Sequence, residues 1–320
     1  MPRFRGFIPV LVLFVATLPL LAATAQGSFD RSLKVTGPVD LEVKTGSGNI
    51  TVRNGAAGTV TIHGIIRASE SWLSGGKSPE EKVQALENNP PIEQSGNTIR
   101  IGNIDDDSLR NNVSISYELV VPAETRLGSH TGSGGQTVEG IKGPVSASSG
   151  SGSLKVMDVD SDVSAHTGSG DIDLDGIEGM VEARAGSGTI HANHLGGLMT
   201  ASKGTSSTAA SCVQVRTGSA EVRLENVSGR LFAETGSGSI EAGGDPEGSW
   251  ELHTGSGGIT VRLPTNAAFD IKARTGSGSI KVDHPVTVQG EISKHELRGS
   301  VRGGGFGLDL HTGSGSIRVQ

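Results

Sequence analysis

The chain has 320 residues, a formal net charge of −7 at pH 7, 49 glycines, 3% aromatic residues and a single cysteine. The acidic balance disfavours nucleic acid and anionic membrane surfaces as partners. Cys212 alone cannot close an internal disulfide, so stability has to come from packing, although an exported protein would be permitted disulfides.

Residues 1–25 carry Arg3 and Arg5, an apolar run from Phe7 to Leu21 and a small-residue exit at Ala23-Thr24-Ala25. This is the pattern of a secretory signal peptide cleaved after Ala25. Pro9 and Pro19 inside the run argue against a membrane anchor, and no cysteine stands at the exit to take a lipid. Loss of Arg3 and Arg5 would take the formal charge from −7 to −9. No later stretch has the ~20 apolar residues of a membrane helix, so the mature chain is expected to be exported, without a stable membrane span, to the periplasm, the cell surface or the medium.

From Gln26 to His63 apolar and polar residues alternate, in Leu33-Lys-Val35, Val39-Asp-Leu-Glu-Val43, Ile50, Val52, Val60 and Ile62, which predicts strands. Residues 64–112 break the pattern. They contain one convincing helix, Ser78-Pro-Glu-Glu-Lys-Val-Gln-Ala-Leu-Glu87, with Ser78 as N-cap, Pro79 at the first helical position and Glu81 completing a capping box. Trp72 precedes it; strands Thr98–Ile101 and Val113–Val121 follow, and Pro122 leads out. The insertion is expected to plug one end of the structure, the other option being a binding face.

From residue 131 one four-residue turn returns every 18 residues: Thr131-Gly-Ser-Gly134, Ser149-Gly-Ser-Gly152, Thr167-Gly-Ser-Gly170 and Ala185-Gly-Ser-Gly188. Looser copies start at Thr45, Lys203, Thr217, Thr235, Thr254, Thr275 and Thr312, making eleven turns with glycine second in each. Between turns the template is x-I-x-L-x-G-I-x-G-x-V-x-A-x. The copy from Thr167 turns Ile172, Leu174, Ile177, Val181 and Ala183 inward and Asp171, Asp173, Glu182 and Arg184 outward; the next turns Ile190, Ala192, Leu195, Met199 and Ala201 inward. Two short strands joined by a glycine corner make one coil of a β-solenoid, and coils stacked edge to edge at about 4.8 Å make a rod of roughly 50 Å. The corner glycines are expected where a left-handed backbone or the close approach of neighbouring coils leaves no room for a Cβ. The copy at Lys203 reaches the next corner early and predicts a kink; a final half-coil ends at Ile317-Arg-Val319.

The reading is therefore an all-β, β-helix-like solenoid of about ten 18-residue coils with a small strand and helix insertion near the N-terminus. Its segments are a signal peptide (1–25), an N-terminal coil and cap with the helical insertion (26–128) and the solenoid proper (129–320), with 26–320 forming one continuous domain.

Searches for chemistry end in architecture. Asp171-Ile-Asp-Leu-Asp175-Gly176 with Glu182 satisfies the EF-hand spacing, yet lacks flanking helices and coincides with one coil, so a solvated acidic face is the simpler reading; whether Asp171, Asp173 and Asp175 bind a cation stays open at this point. The corners carry Ser or Thr where calcium-binding β-roll repeats need carboxylates. His130, His166, His253 and His311 all stand just before a corner, in a column with Ser148, Arg184, Arg216, Glu234 and Arg274. His130 and His166, two coils and roughly 10 Å apart, are too distant to share a metal. The Gly-Ser-Gly triplets form no nucleophile elbow and no phosphate loop. Corner hydroxyls are expected to satisfy corner backbone groups rather than to order water or hold a glycan. Cys212 reads as a small core or edge residue. No catalytic residue, metal site or cofactor is expected, and the chain is not expected to be an enzyme.

The T-G-S-G-x-I corners, the strand Val113-Ser-Ile-Ser-Tyr-Glu-Leu-Val-Val-Pro122 and the closing Leu308-Asp-Leu-His-Thr-Gly-Ser-Gly-Ser-Ile317 together resemble the bacterial putative-adhesin family. That resemblance implies an exported β-solenoid domain, and supplies no catalytic residues. The expected function is a non-catalytic scaffold, adhesive or otherwise interactive, with a protein or glycan partner at the cell envelope. The rival is a polysaccharide-binding or polysaccharide-active β-helix with its site on the outward face near the insertion.

Overall fold

The computed structural model describes residues 24–70, 77–104, 106–196, 212–288 and 293–320. Among them, strands form two facing sheets of 13 and 14 members. Each regular coil gives one strand to each sheet: Leu154–Val159 lies in the first and Val163–Thr167 in the second, and the next coil repeats this with Ile172–Ile177 and Val181–Ala185. Parallel pairing keeps like positions together, so Val163 lies beside Val181 and Leu154 beside Ile172. Alternation does the rest: Ile172, Leu174, Ile177, Val181 and Ala183 are all at most 2% exposed. The core is a narrow aliphatic seam between the sheets, and the β-solenoid is confirmed.

The corners are held by two interleaved columns. The Thr167 hydroxyl donates to the Gly152 carbonyl of the preceding coil at 3.0 Å and accepts from the Gly170 amide at 3.0 Å. Thr131, Ser149, Thr217, Thr235, Thr254, Thr275 and Thr312 repeat the donation to the carbonyl of an adjacent coil. These hydroxyls are buried and occupied, so they present no ordered array to water or to a sugar. Ala185 interrupts the ladder. Ala185→Thr is expected to raise stability by about 1 kcal/mol, the usual net value of a buried hydrogen bond, read as a higher urea midpoint at unchanged m-value.

The glycine column works by close approach. A Cβ on Gly168 would lie 2.4 Å from the Gly150 carbonyl oxygen, and one on Gly170 2.2 Å from that of Gly152. The left-handed backbone sits elsewhere, at the second bend of each coil. There Gly140 and Gly176 have φ of 73° and 68°, and Asp158, His194 and Asn226 adopt 53°, 51° and 51° at the equivalent positions. Short or polar side chains tolerate this conformation best after glycine, which is why the template's tenth residue reads Gly, Asp, Gly, His and Asn.

Both ends of the stack depart from chain order. At the first, Val113–Pro122 slots between Ile50–Gly55, to which it is parallel, and Thr59–Ser69, to which it is antiparallel. Thr24–Lys34 adds an outer antiparallel strand, while Thr98–Ile101 and Ile92–Ser95 extend the second sheet. The helix Pro79–Asn88 has the capping box read from its sequence, with Ser78 accepting from the Glu81 amide at 3.2 Å and Glu81 from the Ser78 amide at 2.9 Å. Its Glu87 carboxylate accepts the Ser28 amide at 2.9 Å, blunting the exposed edge of the outer strand. Trp72 and residues 1–23 of the expected signal peptide 1–25 lie outside the described residues.

The kink or bulge expected at the Lys203 turn lies outside the described residues, and two other expectations need correction. Val181–Ala185 and Cys212–Thr217 pair directly, in unbroken register. Val213 and Val215 therefore hold the inward register that an 18-residue count assigns to Met199 and Ala201, which also lie outside the described residues. The last strands do not end the rod. Phe306–Ser314 lies between Trp250–Ser256 and Phe269–Ser277, and Ile317–Val319 lies between Ile259–Arg262 and Ile280–Val282. The final coil is threaded one layer inside the end, and the antiparallel strands Glu296–Val301 and Val286–Val288 finish the second sheet.

Candidate ligand groove

Three outward rows run along the second sheet, each row taking one residue from every coil. In the middle row Gly128, Ser146 and Ser164 stand side by side. With no bulk there, the face sinks into a groove of about 600 Å³ near the N-terminal cap. Arg126, Pro144, Asp162 and Met180 form one wall; Met180 is 56% exposed. Glu42 and Arg100, 3.5 Å apart, mark one end, and Glu182, paired with Arg184, marks the other. Hydrogen bonding from Lys44, and then the nearby Arg100, hold the Glu42 carboxyl below the usual carboxylate range. Asp162 is committed to the Met180 amide at 2.8 Å. The Arg126 side chain has no hydrogen bond or ion pair among the described residues. The groove thus offers an apolar wall, two hydroxyls on its floor and one disengaged guanidinium.

The residues singled out in the sequence are mostly tied to one another. Asp171 accepts the Thr189 amide at 2.9 Å, Asp175 meets His194 Nδ1 at 2.9 Å, and His191 lies 3.9 Å from Asp173. Glu182 is on the other sheet, in Val181–Ala185, so the EF-hand ring is not assembled. Among the described residues no group of three or more His, Cys, Asp and Glu converges as metal ligands do. His130 and His166 bond to Ser148 and Ser164 at 2.8 and 2.9 Å, and Arg216 pairs with Glu234 at 3.3 Å. Cys212 corrects its reading as a core or edge residue: it is half-buried and faces outward at the groove's end, because Val213 takes the inward position. Trp250, Tyr117 and Phe269 are buried, Trp250 donating to the Gly229 carbonyl at 3.2 Å, so these rings are not platforms for sugars.

Sequence reasoning missed the groove floor. Its signal was the small residue three places before the corner's lead residue, visible only once the register set Gly128, Ser146 and Ser164 abreast.

Residues 145–320 match the model of the Toastrack DUF4097 family. The chain belongs to that family. The resemblance drawn from the corners is thereby borne out, and the Toastrack segment begins within the groove, at Val145, and includes the threaded end. No curated protein matches this Toastrack chain. Among solved structures it is similar to a putative cell adhesion protein from Clostridium sporogenes ATCC 15579, with 14% identity, a TM-score of 0.26, and coverage of 92% of this chain and 99% of that one. It is also similar to a putative adhesin from Bacteroides fragilis NCTC 9343, again with 14% identity, a TM-score of 0.40, and coverage of 92% and 97%.

Proposed function

We propose that this Toastrack chain is an exported, non-catalytic scaffold of the cell envelope, of adhesin type, that holds an extended partner along the groove of its second sheet. The observation that carries the reading is the groove itself: an open trough over successive coils, floored by Gly128, Ser146 and Ser164 and edged by Arg126 and Met180. A trough open along the sheet suits a strand-like polypeptide or a glycan chain better than a compact substrate. Export is supported by Arg3, Arg5, the apolar run to Leu21 and Ala23-Thr-Ala25. Among the described residues no helix is long and apolar enough to cross a membrane.

Fractionation of the native organism tests the location, and a glycan array with a polysaccharide-cleavage assay tests the chemistry. Ser146→Trp fills the floor from an exposed-side position, and is expected to weaken whatever the wild type binds by about tenfold or more while leaving the melting temperature unchanged. Turnover of a polysaccharide would replace the scaffold with the enzyme reading, and unchanged binding by Ser146→Trp would remove the groove.

A further inference from the structure

The threaded final coil creates a juxtaposition that has nothing to do with sequence proximity. Leu252-His-Thr-Gly-Ser-Gly257 and Leu310-His-Thr-Gly-Ser-Gly315 are the same hexapeptide, and the insertion of Phe306–Ser314 beside Trp250–Ser256 puts His253 directly against His311. Both side chains point outward from the second sheet, His253 half-buried and His311 exposed. Their ring centroids are 6.1 Å apart. We infer that His253 and His311 form a two-imidazole site for a divalent transition ion such as Ni²⁺, Cu²⁺ or Zn²⁺.

Four observations carry this. First, the spacing fits: metal–nitrogen bonds of about 2.0 to 2.1 Å put two imidazole centroids on one ion about 5 to 6 Å apart, so small side-chain rotations close the chelate without moving a strand.

Second, the ring nitrogens are available. His63, His130, His166 and His194 spend a ring nitrogen on Asp30, Ser148, Ser164 and Asp175, whereas neither His253 nor His311 has a ring-nitrogen hydrogen bond among the described residues.

Third, the flanking cations are partnered. Arg216 is paired with Glu234, and Arg274, the in-register neighbour of His311, shares Glu296 with Arg298, at 3.0 and 2.7 Å. Glu251, two residues before His253 on the same face, has no ion pair among the described residues and offsets the second guanidinium of that group.

Fourth, Phe232 packs edge-on against His253 at 5.9 Å and shields one side from water. Imidazole is a ligand that suits these borderline ions. With no third side chain converging, the ion would keep water in its other positions, open to a carboxylate or imidazole of a partner.

The test uses the tag-free full chain, stripped of metal with a chelator and titrated with Ni²⁺ by calorimetry, with Cu²⁺ electron paramagnetic resonance as a second readout. One ion is expected per chain, with two nitrogens in the Cu²⁺ spectrum. His253→Gln and His311→Gln should each weaken Ni²⁺ binding by about tenfold or more, because losing either ring loses the intramolecular chelate, while His130→Gln should not. All three variants must melt with the wild type. The inference is overturned if either single variant binds Ni²⁺ as the wild type does, or if the Cu²⁺ spectrum reports fewer than two nitrogens.

Discussion

Gly168→Val is expected to lower the melting temperature by about 8 °C or more, and Asp171→Val by about 3 °C at most. Gly168 has an ordinary negative φ, so the cost is not conformational. It is steric: the new Cβ would sit 2.4 Å from the Gly150 carbonyl oxygen, and the same approach recurs one coil on, where a Cβ on Gly186 would lie 2.3 Å from the Gly168 carbonyl oxygen. The clash is with backbone, so it cannot be relieved by a rotamer change, and two coils that must stay at strand spacing have to part. Overpacking of this kind costs about 3 kcal/mol or more, and each kcal/mol moves the midpoint by roughly 2 to 4 °C in a chain of this size class. Asp171 points to solvent and loses only one exposed hydrogen bond, to the Thr189 amide, worth about 1 kcal/mol. Thermal unfolding of the two variants side by side decides it; equal midpoints would mean that the glycine column does not hold the coils together.

Removing residues 305–320 is expected to unfold the segment 269–301 while leaving the coils from Thr125 to Leu195 intact. Among the described residues, Phe269–Ser277 has its only parallel partner in Phe306–Ser314, and Ile280–Val282 has its only partner in Ile317–Val319. Leu308, Leu310, Ile317 and Val319 are at most 1% exposed. At about 2 kcal/mol for each buried aliphatic side chain, their loss removes of order 8 kcal/mol from that end alone. In a repeat stack, where each coil touches only its neighbours, the damage stays local. Hydrogen exchange by mass spectrometry reads this directly: protection should vanish in Phe269–Val301 and persist in Val163–Thr167. Retained protection in Phe269–Ser277 would refute the threaded arrangement.

Much of the fold is legible in the sequence because the period sets the register. Ile172, Leu174, Ile177, Val181 and Ala183 were identifiable as the inward set from alternation alone, and the helix from Ser78, Pro79 and Glu81. What stays hidden is which coil stacks on which. Leu252-His-Thr-Gly-Ser-Gly257 and Leu310-His-Thr-Gly-Ser-Gly315 satisfy the same local rules, so nothing within either copy says that the second lies against the first rather than beyond Thr275-Gly-Ser-Gly278. The same degeneracy hides that the strand beside Val181 and Ala183 is the one that carries Val213 and Val215. The groove was hidden for a related reason: Gly128, Ser146 and Ser164 are unremarkable singly, and only lateral pairing lines them up. The corner hydroxyls were legible as backbone partners because a Thr three residues before a glycine amide has few other roles.

The interleaved last coil also fixes an order of events. A chain that folds as it is made, N-terminus first, has Phe269–Ser277 before Phe306–Ser314, yet the earlier segment has no parallel neighbour to dock upon until the later one arrives. Winding coil by coil therefore stops at Arg262, and the remaining chain has only itself to pair with, Phe269–Ser277 against Glu296–Val301, until the closing strands slide into the reserved slot.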